Sequence, residues 1–399
     1  MTRATGGPVE LLVDRDGPFT RAAVLAGGRL TDLHIDRADR SSLVGAVFLG
    51  RVERIVTGLD AAFVDLGTAK PGLLGVRDAR GPKGWVERIG TLLRTGQPVV
   101  VQVKADAFGA KGPTLTMDVT LPGRFLVHAP LGRGITVSKR LGAGPQRAEL
   151  LRRIESAVVG EGWIVRAGAA AVDPGLIAVE ADSLAVAWRA IEAAVFGAAP
   201  ALLRPALDAP RRALVEAGAS RPDVILADGP ELADALVRWC ESEAPDLAPL
   251  LRRHDGPPGL FEMRDLDRSI AELAGTRVPL GGGASLVIER TEAMTVIDVN
   301  AGERGNALDV NLEAAAEIAR QLRLRNVGGI VVVDFVNMKG RSDGERLLTA
   351  LARAVEDDPA QAQVYGLSKL GLVEMTRNRR GVALADLLAP AGTDTGMPA

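Results

Sequence analysis

Two aspartates in this sequence end runs of aliphatic residues, where a carboxylate is expensive to place. Asp298 closes Thr295-Val296-Ile297, and Asp334 follows Ile330-Val331-Val332-Val333. An unpaired carboxylate inside a central strand costs several kcal/mol or takes up a proton, so it needs a cation or hydrogen-bond donors. Strand alternation places Asp298 and Asn300 on the same face, two residues apart. If the two strands are neighbours, Asp298, Asn300 and Asp334 converge at one sheet edge. Two carboxylates and one amide carbonyl, with waters completing an octahedron, suit Mg2+ or Mn2+. Such a site polarises a phosphoryl oxygen and lowers the pKa of a bound water, which is the core of metal-assisted phosphodiester hydrolysis. The competing reading is that each aspartate accepts hydrogen bonds from a helix N-terminus or pairs with an arginine.

Basic residues crowd the same region: Arg277, Arg304, Arg320, Arg323, Arg325, Lys339, Arg341, Arg377, Arg379 and Arg380. They could neutralise phosphates along a nucleic acid strand, although runs such as RQLRLR more often make a solvated helix face. Earlier in the chain, Phe63 is followed by Lys70, Lys104 and Lys111. One aromatic with lysines on a small barrel is a stacking platform for single-stranded bases. Spacing alone favours a core role for Phe63. Gly281–Gly283 is a turn and not a dinucleotide fingerprint, since no βαβ context follows it.

These residues must be positioned by a chain of 399 residues, enough for two to three domains. Apolar residues make up 47% and charged residues 25%, the balance of a folded globular protein and not of a disordered one. Aromatics are only 3%, so the core must be aliphatic, and 46 glycines with 23 prolines imply many turns and small substructures. The net charge of −2 gives no global support for nucleic-acid binding, which would have to come from local clusters. A lone cysteine, Cys240, excludes an internal disulfide and a Cys-built zinc or iron–sulfur site within the chain, and three scattered histidines disfavour a His-rich one. No zinc is expected, and any metal should have oxygen ligands. The start has no signal-peptide core and no apolar run reaches 18 residues, so the expected location is the cytoplasm.

The pattern along the chain is of mixed α/β type. Val9–Val13, Phe19–Ala26 and Leu30–Ile35 read as antiparallel strands, with Gly27-Gly28 as a hairpin turn. Short strands at Gly45–Ile55, Ala61–Leu66, Lys70–Val76 and Gln97–Ala105 suggest a small barrel such as an OB fold. Strands follow at Phe125–Ala129, Gly134–Val137 and Trp163–Arg166, with helices near Gln146–Val159 and over 182–199. The Ala- and Pro-rich stretch 195–210 is the linker candidate, followed by a strand at Asp223–Ala227 and a helix at Glu231–Glu243. Ser285–Arg290 and Met294–Val299 are strands, and Asn311 is expected to cap a helix running to about Arg325. Ile330–Val336 is apolar on both faces and so reads as a central strand, ahead of a helix at Asp343–Glu356 and a strand at Gln363–Gly366. The tail 389–399 is expected to be disordered.

The same segments resemble the RNase E/G family of endoribonucleases over nearly the whole chain. The resemblance is carried by GRVERIVTGLDAAFVDLG (50–67), KGPTLTMDVTLPGRFLV (111–127), SLVIERTEAMTVIDVNAG (285–302), NLEAAAEIARQLRLRNVGGIVVVDFVNM (311–338) and LSKLGLVEMTRNR (367–379). It implies an α/β multi-subdomain architecture. An RNase H-like subdomain would be split between 1–40 and 205–272. Within it would lie an OB-fold domain of the S1 RNA-binding type at 41–117 and a 5′-sensor region at 118–204. A DNase I-like catalytic subdomain would follow at 273–388. By the resemblance, Asp298 and Asp334 hold Mg2+ and Asn300 supports the first. Phe63 and Lys111 grip the nucleotide near the scissile bond, and Arg166 contacts a 5′-monophosphate.

Departures from the family pattern matter too. Leu73 stands where a second stacking Phe is common, which implies weaker base stacking. Ala167 follows Arg166 where the family has Thr, which removes a hydroxyl donor worth about 1.5–3 kcal/mol to a charged group. No Cys-x-x-Cys zinc link follows LSKLGLVEMTRNR, so a zinc-linked dimer is not expected and any oligomer would use other contacts. The implied activity is Mg2+-dependent hydrolysis of single-stranded, A/U-rich RNA in rRNA processing and mRNA decay. The products would carry a 5′-phosphate and a 3′-hydroxyl. Lys104 and Arg377 complete the expected RNA contacts, and no membrane partner is expected. Two competitors stand beside this reading: a non-catalytic RNA-binding protein on the same fold, and a metal phosphodiesterase acting on small molecules.

Overall fold

In the computed structural model the described residues are 7–81, 84–85, 87–107, 110–137, 144–218, 220–338 and 340–389. Lys339 and nearly all of the expected tail, 390–399, lie outside them. The strands Val9–Asp16, Phe19–Ala26 and Arg29–Arg37 form an antiparallel meander, turning at Gly17 and at Gly27-Gly28, all with positive φ. Val9–Asp16 pairs in parallel with Val224–Asp228, which in turn pairs with Leu251–His254. Segments some two hundred residues apart in the chain thus complete one five-stranded sheet.

A closed barrel is inserted between them. Val47–Val56, Ala61–Asp65, Gly72–Gly75, Thr114–Thr116 and Pro98–Ala105 pair in that order, and the first and last also pair with each other. Closure leaves the interior to Phe48, Val52, Val64, Leu74, Val101 and Leu115. The stretch read as a linker contributes a strand instead. Ala201–Arg204 pairs antiparallel with Val47–Val56, satisfying backbone groups of an extended segment that a free linker would leave to water.

Beyond the barrel, a four-stranded sheet (Leu121–Pro122, Leu126–His128, Ile135–Val137 and Trp163–Val165) shares a core with the helices Pro145–Ala157 and Pro174–Ala194. The second helix starts eight residues before the expected 182. Asp173 caps it by accepting the Gly175 N–H, and Pro174 occupies the first turn, where its missing donor is harmless.

The last sheet has six strands in the order Arg277–Pro279, Ser285–Arg290, Met294–Asn300, Gly329–Asp334, Val373–Arg377 and Gln363–Leu367. Val373–Arg377, which sequence patterning left unassigned, is inserted beside Gly329–Asp334. The helices Ala307–Leu324 and Arg341–Ala354 cover one face only, where Ile297, Val299, Val331 and Val333 meet Ala314, Ile318, Leu347 and Leu351. The 330–336 run is therefore central but not buried on both sides, and Ile330 on the other face is 48% exposed. The first of these helices is capped by Asn306, whose side chain accepts the Leu308 and Asp309 N–H groups. Asn311, the expected cap, lies inside the helix and is fully buried.

Candidate active site

Met294–Asn300 and Gly329–Asp334 run parallel as direct neighbours, with Ile297 opposite Val333 and Asp298 opposite Asp334. In-register residues on adjacent strands project to the same face, one strand spacing of about 4.8 Å apart. Their aliphatic neighbours Ile297 and Val333 point into the helix-covered core, so the alternation sends both carboxylates to the open face. Asp298, Asn300 and Asp334 are all exposed there. The expectation of acids trapped in a costly interior is overturned: the helices lie on the opposite side of the sheet.

Asn300 donates its Nδ2–H to Asp298 Oδ2 at 2.8 Å, which orients that carboxylate and leaves the amide oxygen available. Among the described residues neither Asp298 nor Asp334 has an ion-pair partner, and no helix N-terminus donates to either. The competing structural role for the two aspartates is thus not realised. No group of three or more His, Cys, Asp or Glu side chains that could hold a metal ion occurs among the described residues. The donor set is two carboxylates and an amide oxygen, all hard, with room for waters or a phosphoryl oxygen. That set fits a divalent cation of the Mg2+ type.

The loop after Asn300 is tied down from two directions. Arg304 pairs with Glu313 and donates to the Gly281 carbonyl, while Glu313 accepts the Gly281 N–H at 2.8 Å. That backbone donor and Arg304 hold the Glu313 carboxyl below its usual range. Gly302 has φ +60°, and a Cβ there would lie 2.4 Å from the Gly283 carbonyl oxygen, so only glycine lets the two loops touch.

One contributor was missed by sequence reasoning. The Asn311 carboxamide bonds both ways to the main chain of Val336, accepting its N–H at 3.0 Å and donating to its carbonyl at 2.8 Å. The only sequence signal was an asparagine at an apolar position of the helix.

On the barrel, Phe63 faces outward between the core residues Ala62 and Val64 and is half-buried, which overturns the core role that spacing favoured. Cross-strand pairing sets Arg54, Phe63, Leu73 and Thr114 in one row across four strands. The Arg54 guanidinium lies 4.3 Å from the centre of the Phe63 ring. Lys111 is exposed, whereas Lys104 pairs with Asp78 at 2.6 Å.

Most of the clustered arginines are committed elsewhere. Arg320 pairs with Glu317 and donates to the Leu30 carbonyl, and Arg323 pairs with Asp32, so RQLRLR stitches its helix to the N-terminal meander. Arg325 bonds Gln321 and the Gly275 carbonyl. Arg377, expected on RNA, is only 6% exposed. It is bound to Asp358 through two nitrogens and to the Val327 carbonyl. Strand alternation on Val373–Arg377 turns it toward the core, which is why it is unavailable to a polyanion. Arg166 is half-buried and donates to the carbonyls of Gly123 and Val215.

Residues 120–380 match the family described as "Ribonuclease E/G family". The chain is 34% identical to Ribonuclease G of Escherichia coli (strain K12), over 95% of this chain and 81% of that protein. It is 35% identical to Ribonuclease E of Synechocystis sp., over 89% of this chain and 55% of that protein. Among the described residues no helix is long and apolar enough to cross a membrane.

Proposed function

This chain belongs to the ribonuclease E/G family of endoribonucleases, and we propose that it hydrolyses single-stranded, A/U-rich RNA with Mg2+ held by Asp298 and Asp334. Mn2+ would serve the same donor set. The observation that carries this reading is the in-register pair Asp298–Asp334 on an open sheet face, without a cation partner among the described residues. When bound, the cation supplies a polarised phosphoryl oxygen and a water of lowered pKa. Asn300 holds the Asp298 carboxylate at a fixed angle, and the uncovered face gives an RNA backbone room to approach. Attack by water on the phosphodiester leaves a 5′-phosphate downstream and a 3′-hydroxyl upstream.

We read the barrel, 41–117, as an OB-fold RNA-binding domain of the S1 type. Phe63 would stack a base, and Lys111 would contact a phosphate, with Lys104 supplying charge nearby once released from Asp78. The five-stranded sheet built from the two distant segments supports a split RNase H-like subdomain at 1–40 and 205–272. The 118–204 region would be the 5′ sensor, and 273–388 the DNase I-like catalytic subdomain. Arg166 already bonds two carbonyls and Ala167 offers no hydroxyl, so recognition of a 5′-monophosphate should be weak. We place this RNA processing in the cytoplasm.

The test is cleavage of a short 5′-labelled A/U-rich RNA by wild type and Asp298→Asn, with Mg2+ or EDTA, on 5′-monophosphate and 5′-hydroxyl substrates. Mg2+-dependent cutting that the substitution abolishes is expected, with little difference between the two 5′ ends. Binding without cutting by the wild type would leave an RNA-binding protein on a nuclease fold.

A further inference from the structure

The strand that carries Asp334 loses its neighbours at that residue. Its ladder with Met294–Asn300 ends at Asp298 opposite Asp334, and its ladder with Val373–Arg377 ends at Val333 opposite Val373. Among the described residues no strand pairs with the backbone from Phe335 onward. An unpaired peptide at this depth would be costly and free to shift. Asn311 supplies what the sheet does not. Its side chain occupies both hydrogen-bonding groups of Val336, as a neighbouring strand would, from a residue that is 0% exposed. Between ladder and clamp, the Phe335 side chain is buried in the same core.

The helix that presents Asn311 is itself anchored along its length. Asn306 caps its start, Glu313 ties it to Gly281 and Arg304, and Arg320 and Arg323 bind the N-terminal meander at Leu30 and Asp32. A rigid support thus reaches the second residue after Asp334.

We propose that Asn311 is a positioning residue for the reaction: by clamping the Val336 peptide it sets the direction of the Asp334 carboxylate toward the cation. The proposal rests on the reading of Asp298 and Asp334 as the cation's ligands, and its test separates the two. Mn2+ binding to the RNA-free protein is titrated by the EPR signal of the free ion, for wild type, Asp334→Asn, Asn311→Leu and Ile318→Val. Asn311→Leu keeps the branched shape and the number of non-hydrogen side-chain atoms and removes both hydrogen bonds. Ile318→Val lowers stability from the same helix and leaves both Asn311–Val336 hydrogen bonds in place. Affinity for single-stranded RNA is measured in EDTA on the same samples, and cleavage is followed across a Mg2+ series.

Asp334→Asn should lose Mn2+ binding. Asn311→Leu should bind Mn2+ at least about tenfold more weakly and need correspondingly more Mg2+ for cleavage, with RNA affinity unchanged. Ile318→Val should leave the Mn2+ affinity at the wild-type value. Wild-type Mn2+ binding by Asp334→Asn would overturn the ligand reading itself. Loss in Asp334→Asn with wild-type binding in Asn311→Leu would overturn the positioning role alone, as would an equal weakening in Ile318→Val. If Asn311→Leu does not fold, Asn311→Ser, which is smaller and cannot bond both groups, takes its place with the same expected and overturning results.

Discussion

Asp298 and Asp334 stand at the same level of two parallel strands, yet among the described residues only Asp298 is held by a neighbouring side chain, the Asn300 amide at 2.8 Å. The asymmetry has a direct consequence. Asn300→Ala frees the Asp298 carboxylate to rotate, and Asn300→Asp replaces a donor with a like charge. Either should lower cleavage by about 10–100-fold at limiting Mg2+, the usual effect of removing an outer hydrogen bond from a metal ligand. Rates across a Mg2+ series check this; a uniform loss at every concentration would contradict it.

Phe63 is exposed enough to stack a base and contributes little to the barrel core. Phe63→Ala should therefore weaken binding to single-stranded RNA by about 1–3 kcal/mol while leaving the unfolding midpoint nearly unchanged. Leu73 is its direct cross-strand neighbour, so Leu73→Phe should tighten binding by extending the platform. Fluorescence anisotropy with a labelled oligonucleotide reads both.

Arg377 and Asp358 form a buried pair at 2.6 Å, with 6% and 3% of each side chain exposed. Arg377→Ala removes the buried counter-charge of the Asp358 carboxylate, which keeps the Ala360 N–H, and should cost about 3–5 kcal/mol of stability. RNA affinity of the folded protein should not change. A selective loss of RNA binding at full stability would restore Arg377 to the RNA contacts.

Glu180 faces Phe125, whose N–H donates to both carboxyl oxygens at 3.1 and 2.8 Å, and the absent side chain of Gly123 makes room for it. Burial pushes its carboxyl up to about 7, against the lowering effects of Phe125, Arg124 and Arg166. Between the ordinary value of 4.5 and about 7 the unfolded chain is ionised while the folded carboxyl keeps its proton. Stability therefore falls as pH rises through that window, and the loss is complete above it. Glu180→Gln keeps an acceptor for Phe125 and removes the ionisation. It should stabilise the protein at pH 8 by on the order of 3 kcal/mol relative to its effect at pH 4. Urea midpoints of both proteins at the two pH values test it.

Much of the candidate site is legible in the linear order of residues. Asp298 and Asn300 share a face because a strand has period two, and Asp334 ends an aliphatic run long enough to be a strand in any fold. These are local consequences of backbone geometry. The meander turn at Gly27-Gly28 and most strand positions follow from the same rules.

What the linear pattern could not carry was pairing and the side from which each element is covered. The insertion of Val373–Arg377 beside Gly329–Asp334, the one-sided cover that leaves both aspartates exposed, and the burial of Arg377 all depend on segments tens of residues away. Phe63 reads as core because its neighbours Ala62 and Val64 are; only closure of the barrel decides which of the alternating residues face in. Asn311 looks like a helix cap, but the helix begins earlier and its amide satisfies a peptide 25 residues further along the chain. Residue spacing determines which side chains share a face, because that depends on one residue's torsions and the next. Tertiary structure decides what lies opposite that face, because hydrogen-bond pairing and burial are settled between segments and not within them.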